Sequence, residues 1–434
     1  MKRIILLSTI TAATLFATNG DHMIGLGVES RALGGTGIAN FIGAENALTN
    51  PAILAKTKSD HEFSFGGTIF KADVSAKTTA GIGTNGSTIP GTGMSRNSSE
   101  GKSMIPVIAL SHRISDTMVL GLGMYGTAGM GTDWRADDTP YQANISSPGL
   151  MNIGLYNMRS SLMLMQFAPS LSYGTDKFGI GATAIMQYGQ LSIDYDTYDS
   201  QNSYAKNHIG NGTSNDFGYG YQIGTYYTPN DKLTVGAAYK SAIDMEYKDQ
   251  ISKAALAFGY GSHAGALAAK SDHLEQPSEV GVGISFKYSH MTYALDIKEI
   301  KWADAKGYKD FGWKNQTVFA LGIKHSNENY WGGIGYNYAK NPIPNNTSTT
   351  SVAGGANTDG DTMNLFNYAM FPAIVEKAYT FGGGYKINKF TMIDFAYTYS
   401  PKTTKTVSAQ TVGVGDITTS HAQSATTLAM KYTF

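Results

Sequence analysis

From about Glu62 to Phe434 the chain alternates apolar and polar positions with a period of two, and helical spacing is almost absent. Over Lys232 to Tyr247, Leu233, Val235, Ala237, Tyr239, Ile243, Met245 and Tyr247 share one face. Thr234, Gly236, Lys240, Asp244 and Glu246 share the other. Val280, Val282, Ile284, Phe286 and Tyr288 alternate in the same way with Gly281, Gly283, Ser285 and Lys287. So do Phe217, Tyr219, Tyr221 and Ile223 with Gly218, Gly220, Gln222 and Gly224. Each run predicts a strand of about ten residues with one face for lipid and one for water, the length a tilted strand needs to cross a bilayer.

The connections alternate in length. Tight polar turns fall at Ser115-Asp116-Thr117, Gly174-Thr175-Asp176, Pro229-Asn230-Asp231, Ser289-His290, Asn327-Glu328-Asn329 and Asn388-Lys389. Between them lie long loops, over Thr78 to Lys102, Thr132 to Asn157, Asp194 to Asp216, Lys248 to His273, Ala303 to Gly312, Asn341 to Val375 and Pro401 to His421. Six short turns alternating with seven long loops predict an all-β fold, a 14-stranded antiparallel transmembrane β-barrel over residues 61–434. The final strand alternates Leu428, Met430, Tyr432 and Phe434 outward, the aromatic signal that outer-membrane assembly machinery reads.

The first residues set the compartment. Met1-Lys2-Arg3 is basic, Ile4 to Phe16 is an apolar run, and small residues follow at Ala17 and Thr18. The run is shorter than the roughly 20 residues of a membrane-spanning helix. Residues 1–19 therefore read as a secretory signal peptide, cleaved between Ala17 and Gly20. Composition agrees with an exported barrel: charged residues are only 15%, while Gly and Tyr number 51 and 27. With 33 basic against 33 acidic residues there is no basic surface for nucleic acid. Without Cys there is no disulfide, thiolate metal site or thiol nucleophile.

Residues 20–60 do not alternate. Met23 to Ala39 is small and apolar, with Gly34, Gly35 and Gly37, and leads to Asn50-Pro51-Ala52 and the strand Phe63-Ser64-Phe65-Gly66-Gly67. This order resembles the N-terminal hatch of the FadL-type long-chain fatty-acid and hydrocarbon transporters, and the resemblance covers essentially the whole mature chain. It implies a hatch that plugs the barrel, built on Gly34, Gly35, Gly37, Asn50, Pro51 and Ala52. It further implies passive uptake of long-chain fatty acids or similar hydrophobic compounds, with exit sideways through the wall. Burial of each CH₂ recovers about 0.8 kcal/mol, so an apolar cavity holds a long chain without specific chemistry. The expected lateral opening is the glycine-rich end of the third strand, at Tyr125, Gly126 and Gly129.

Two loop stretches are apolar enough to capture a ligand: Ala254 to Phe258 with Ala264 to Ala269, offering Leu256 and Phe258, and Leu365 to Pro372, offering Leu365, Phe366 and Phe371. The alternative is that they pack on each other as a lid. Leu162, Leu164 and Ala168 on one face and Met163, Met165 and Phe167 on the other make the fourth strand apolar on both faces, which predicts a partly oily lumen. For a carboxylate head group the resemblance points to Lys309 and Lys314, with Lys240 on an inward face. Tyr188 stands where some relatives carry Arg. Neutral hydrocarbons remain in play.

Nothing in the sequence calls for catalysis, a metal or another cofactor. Gly121-Leu122-Gly123-Met124-Tyr125-Gly126 lacks the helix of a dinucleotide site, the nine His are scattered, and Asp244 and Glu246 share a wet face. The expected place is the outer membrane of a Gram-negative bacterium. The expected partners are a hydrophobic small molecule, outer-membrane lipid and the assembly machinery, with no nucleic acid, and the chain is expected to act as a monomer. The rival reading is a porin or surface adhesin on the same barrel.

Overall fold

The computed structural model describes residues 19–83, 88–90, 93–135, 150–151, 155, 157–199, 205–258, 267, 270–346, 360–412 and 414–434. The signal peptide expected over residues 1–19 lies outside the described residues except at Asn19, as do Ala264 to Ala269 except Leu267.

The wall begins with β1 (His61–Thr78), β2 (Lys102–Arg113), β3 (Met118–Asp133), β4 (Arg159–Gly174), β5 (Phe178–Asp199), β6 (Ser214–Asn230) and β7 (Leu233–Lys240). It continues with β8 (Glu279–Tyr288), β9 (Met291–Ile300), β10 (Gln316–Ser326), β11 (Tyr330–Ala339), β12 (Lys377–Lys386), β13 (Thr391–Ala409) and β14 (Gly415–Thr433). Each strand pairs antiparallel with its neighbour, and β14 pairs with β1 from Glu62–Thr433 to Thr78–Ile417, closing a 14-stranded barrel. Closure removes the edges that an open sheet would expose to lipid.

The six short turns fall where the sequence puts them, and side-chain oxygens fold five of them. Asn327 Oδ1 accepts from the Asn329 and Tyr330 N–H groups at 2.9 Å each. Asn388, Asn230, Ser115 and Thr175 do the same at their turns. These contacts replace ladder bonds lost at the reversal. The outward stripe is apolar, as at Ile69, Ile180 and Leu428, and the aromatic final strand faces outward with it.

Two strands depart from the sequence reading. β7 stops at Lys240, so Ile243, Met245 and Tyr247 leave the outward stripe and are buried inside the barrel. There Ile243 bridges back to Gln276, and Glu246 between the other two bridges to His273, as an inward ribbon. The inner wall makes room because it is glycine at Gly218 and Gly220, where a Cβ would sit 2.5 Å from Met245 Sδ and 2.6 Å from Ile243 Cγ1. Asp244 and Glu246 therefore belong to a loop and not to a strand. The loop expected over Pro401 to His421 is mostly ladder, since β13 and β14 stay paired from Thr403–His421 to Ala409–Gly415 beyond a register shift after Ser400.

The lumen is filled from below by residues 19–57, which run along the inner wall. They form α1 (Val28–Ala32) and two 3₁₀ turns, Gly43–Leu48 and Pro51–Lys56.

Candidate functional site

Wall carboxylates and amides seat the N-terminal segment by bonding its backbone, which a short glycine-rich chain exposes. Asp296 Oδ2 on β9 accepts from the Gly37 and Ile38 N–H groups at 2.7 and 2.9 Å. Glu62 on β1 accepts from Ala44 N–H at 2.7 Å. Gly34, at φ 71°, donates to Thr380 Oγ1 at 2.9 Å and accepts from Asn337 Nδ2 at 2.9 Å. A Cβ there would lie 2.6 Å from the Tyr336 carbonyl oxygen, so only glycine lets the segment approach β11 this closely. Asn50 caps the second 3₁₀ turn through Oδ1, accepting from Ala52 N–H at 3.1 Å, while its Nδ2 donates to the Ile38 and Thr225 carbonyls at 2.6 and 3.0 Å. Pro51 occupies the first position of that turn, and Ala52 is fully buried against Gly181. The Arg31 guanidinium, 2% exposed, donates to Thr427 Oγ1 at 2.6 Å and also to Thr68, tying α1 to the seam between β14 and β1.

The wall is interrupted beside β3. β2 and β3 pair from Arg113–Val119 only as far as Val107–Tyr125. Above that point β3 shifts register between Gly126 and Ala128 while staying paired with β4 to Asp133. Pro106 has no N–H to continue the ladder. The freed edge of β3 is taken by the N-terminal segment: Met23 N–H donates to the Thr127 carbonyl and Gly129 N–H to the Asp21 carbonyl, both at 3.0 Å. Ile105 fills the break from β2, since a Cβ on Gly126 would lie 2.5 Å from Ile105 Cγ2. Ser99 N–H closes the upper rim on the Asp133 carbonyl at 2.9 Å. Tyr125, Gly126 and Gly129 thus all lie at one break in the hydrogen-bond ladder.

Above the lumen the loops form a roof. Phe366 of α3 (Gly360–Met370) stacks on Phe311 at 4.6 Å, meets Phe258 edge-on at 5.0 Å, and lies 5.8 Å from Phe371. Phe258 ends α2 (Ile251–Ala257). Of the capture candidates, Phe258, Leu365, Phe366 and Phe371 are buried among one another, and only Leu256 is exposed, at 64%. Beneath them is a narrow cavity whose lining includes Met130, Leu191, Leu274, Phe311, Trp313 and Phe371. Its polar lining groups are already partnered: Asn367 accepts from Trp313 Nε1 at 3.3 Å and donates to the Phe311 carbonyl at 3.0 Å. Tyr308 donates to Asp21. Burial, reinforced by Asp21, raises the Tyr308 phenol well above its ordinary range, so it stays a donor.

Roof and N-terminal segment meet here. Gln276 Nε2 donates to the same Asp21 carboxylate at 3.0 Å, its Oε1 lies 2.9 Å from His22 Nε2, and Trp302 packs on His22 at 5.0 Å. The two residues that cover the break in the wall are therefore held by residues of the roof loops.

The head-group candidates are not brought together. Lys309 and Lys314 are exposed on the roof loop, away from the cavity. Tyr188 faces outward, tilted on Phe217 at 5.1 Å, and the inward residue beside it is Gln187, which accepts from Gln166 at 2.7 Å. Of these candidates only Lys240 faces the lumen, in a second chamber of mixed lining that also holds His22, Glu279, Asp296 and Lys298. There Glu279 pairs with Lys298 at 2.7 Å and Lys240 at 3.8 Å, and lies 3.4 Å from His22. The sequence reading missed Asp21, His22, Gln276 and Tyr308. The signal that points to Tyr308 is the aromatic run Trp302, Tyr308, Phe311 and Trp313, into which Lys309 is set.

A family described as outer membrane protein transport protein (OMPP1/FadL/TodX) matches residues 4–434. Among solved structures, a Pseudomonas aeruginosa FadL homologue superposes with a TM-score of 0.69 at 15% identity, covering 96% of this chain and 100% of its own. The Ralstonia pickettii toluene transporter TbuX gives 0.63 at 17% identity, with coverage of 95% and 99%. The Pseudomonas putida toluene transporter TodX gives 0.64 at 17%, with the same coverage. At these identities the likeness is one of fold. No curated protein sequence matches the chain.

Proposed function

The chain belongs to the outer membrane protein transport family, hydrophobic-compound transporters of the Gram-negative outer membrane, and from that premise we propose that it admits small neutral hydrocarbons by passive lateral diffusion. A ligand enters beneath the aromatic roof, settles in the cavity beside Tyr308 and Trp313, and leaves through the break between β2 and β3. Residues 20–57 act as the hatch that keeps the lumen closed to water.

The observation that carries this reading is the Tyr308–Asp21 hydrogen bond. Tyr308 lines the cavity, and Asp21 pairs with the free edge of β3. A ligand that displaces Tyr308 weakens the hold on the strand that covers the exit. Differential affinity for the open and closed arrangements is all that such a gate requires. Neutral compounds are favoured over fatty acids because the cavity offers no cation among its described lining residues, and a buried carboxylate without one is costly. Toluene, the compound for which the transporters TbuX and TodX are named, has the matching chemistry.

The test is equilibrium binding to the purified, delipidated barrel, read by Trp302 and Trp313 fluorescence. Toluene is expected to bind saturably, a long-chain fatty acid to compete weakly, and Lys309→Ala with Lys314→Ala to change neither. A fatty acid that binds more tightly than toluene, and loses that advantage in the lysine variants, would overturn the neutral preference. No binding of either would remove the transport reading.

A further inference from the structure

We propose that His61 and His112 form a binding site for one divalent transition-metal ion of the zinc, nickel or copper class, on the outer face of the wall at its short-turn end. The two residues stand directly opposite each other on β1 and β2. His61 spends its backbone N–H and C=O on Phe434 of the chain's last strand, at 2.9 and 3.1 Å. Toward β2 it therefore makes a non-hydrogen-bonded pair, the kind in which facing side chains come closest.

The rings stack at an interplanar angle of 13° with centroids 4.6 Å apart, and the two Nδ1 atoms are 3.1 Å apart. Two imidazole nitrogens each about 2.0–2.1 Å from one ion, at that separation, subtend roughly 100° at the metal, between square and tetrahedral. Imidazole suits zinc, copper and nickel. In the metal-free pair one Nδ1–H donates to the other Nδ1. On binding, both rings carry their proton on Nε2 and turn about χ2 out of the parallel stack, so that the two Nδ1 lone pairs, each in its own ring plane, converge on the ion, and neutral rings release no proton. The Phe434 ring stacks on the His61 ring at 4.6 Å.

Among the described residues no group of three His, Asp or Glu side chains is placed to hold a metal, so water completes the coordination, and the pair is open to solvent. A second His pair at the same end, His290 and His325, has centroids 5.8 Å apart and tilted by 45°. Its rings are not stacked, and it serves as the internal control.

The test is titration of the full chain in detergent with Ni²⁺, followed by Cu²⁺ with the paramagnetic resonance spectrum recorded. Two ligands on one rigid sheet act as a chelate, so His61→Ala and His112→Ala are each expected to weaken binding roughly a hundredfold, whereas His290→Ala leaves it unchanged. The copper spectrum should show two nitrogens in the wild type and one in either variant. Equal affinity in wild type and both variants, or a single nitrogen in the wild type, would overturn the site. Should a variant fail to fold by heat-shift electrophoresis, protection of the wild type from diethylpyrocarbonate decides. Joint shielding of His61 and His112 by Ni²⁺ supports the site, and equal modification with and without the ion refutes it.

Discussion

Asn50→Ala isolates the seating of the N-terminal segment. Asn50 is fully buried and, besides a longer bond from Nδ2 to the Ala237 carbonyl on β7 at 3.5 Å, makes three short hydrogen bonds: Nδ2 to the Ile38 carbonyl at 2.6 Å, Nδ2 to the Thr225 carbonyl at 3.0 Å, and Oδ1 from Ala52 N–H at 3.1 Å. One of them crosses to the wall, on β6, and two hold the segment's own shape. At about 1 kcal/mol net for each, the substitution costs about 3 kcal/mol, and the small cavity left by the amide adds to it. The barrel ladder does not pass through Asn50, so the loss falls on the seated state of the segment and not on closure of the wall. If unseating is what opens the lumen, its population rises by about a hundredfold. The assay is conductance in planar bilayers beside heat-shift electrophoresis, which reports the intact barrel. More frequent or longer conducting events from a barrel that still migrates as folded are expected. Unchanged conductance, with the variant folded and its segment equally resistant to protease, would refute the hatch.

Gly126→Val adds a Cβ that would lie 2.5 Å from Ile105 Cγ2, so the break beside β3 should be overpacked by about 1–3 kcal/mol. Uptake of labelled toluene into cells should fall several-fold while toluene affinity in detergent is kept, and Ile105→Ala in the same background should restore it; a fall in affinity equal to the fall in uptake would count against a separate exit. Phe366→Ala removes the ring shared by Phe258, Phe311 and Phe371 at a cost of about 3–5 kcal/mol. Toluene binding should weaken at least tenfold without loss of the barrel's heat-shift, and wild-type affinity would show that the roof does not shape the cavity.

Strand number, turn positions, inside-out alternation and the absence of alternation over the first segment are local properties, and they were legible. A period of two needs only neighbouring residues, and Asn327, Asn388 and Ser115 fold their turns with bonds two or three positions away. Asn50-Pro51-Ala52 folds by the same kind of local bond, with Asn50 as the cap and Pro51 in the first turn. The site was legible only in part. Gly126 and Gly129 could be picked out as permissive, but that β2 stops pairing at Val107 depends on Pro106 and Ile105, and on residues 21–23 arriving from the chain's other end.

What only the tertiary structure decided is which distant residues share a place. Alternation lapses only at Ser241 and Ala242 and resumes through Tyr247, yet the chain turns inward after Lys240 because Gly218 and Gly220 on a neighbouring strand leave an empty inner face. Tyr188 faces outward because register with β6, and not residue type, assigns it a side. Lys309 and Lys314 looked like ligands for a carboxylate, but the loop buries its aromatics and leaves its ammonium groups in water, the cheaper arrangement for a charge. His61 and His112 meet only through the register of β1 on β2, and Asp21 meets Tyr308 only because one lines a break in the wall and the other hangs from the roof. Periodicity is written between neighbours, and so the sequence alone determines it; contact between residues far apart in the chain is set by closure of the barrel, which no local pattern encodes.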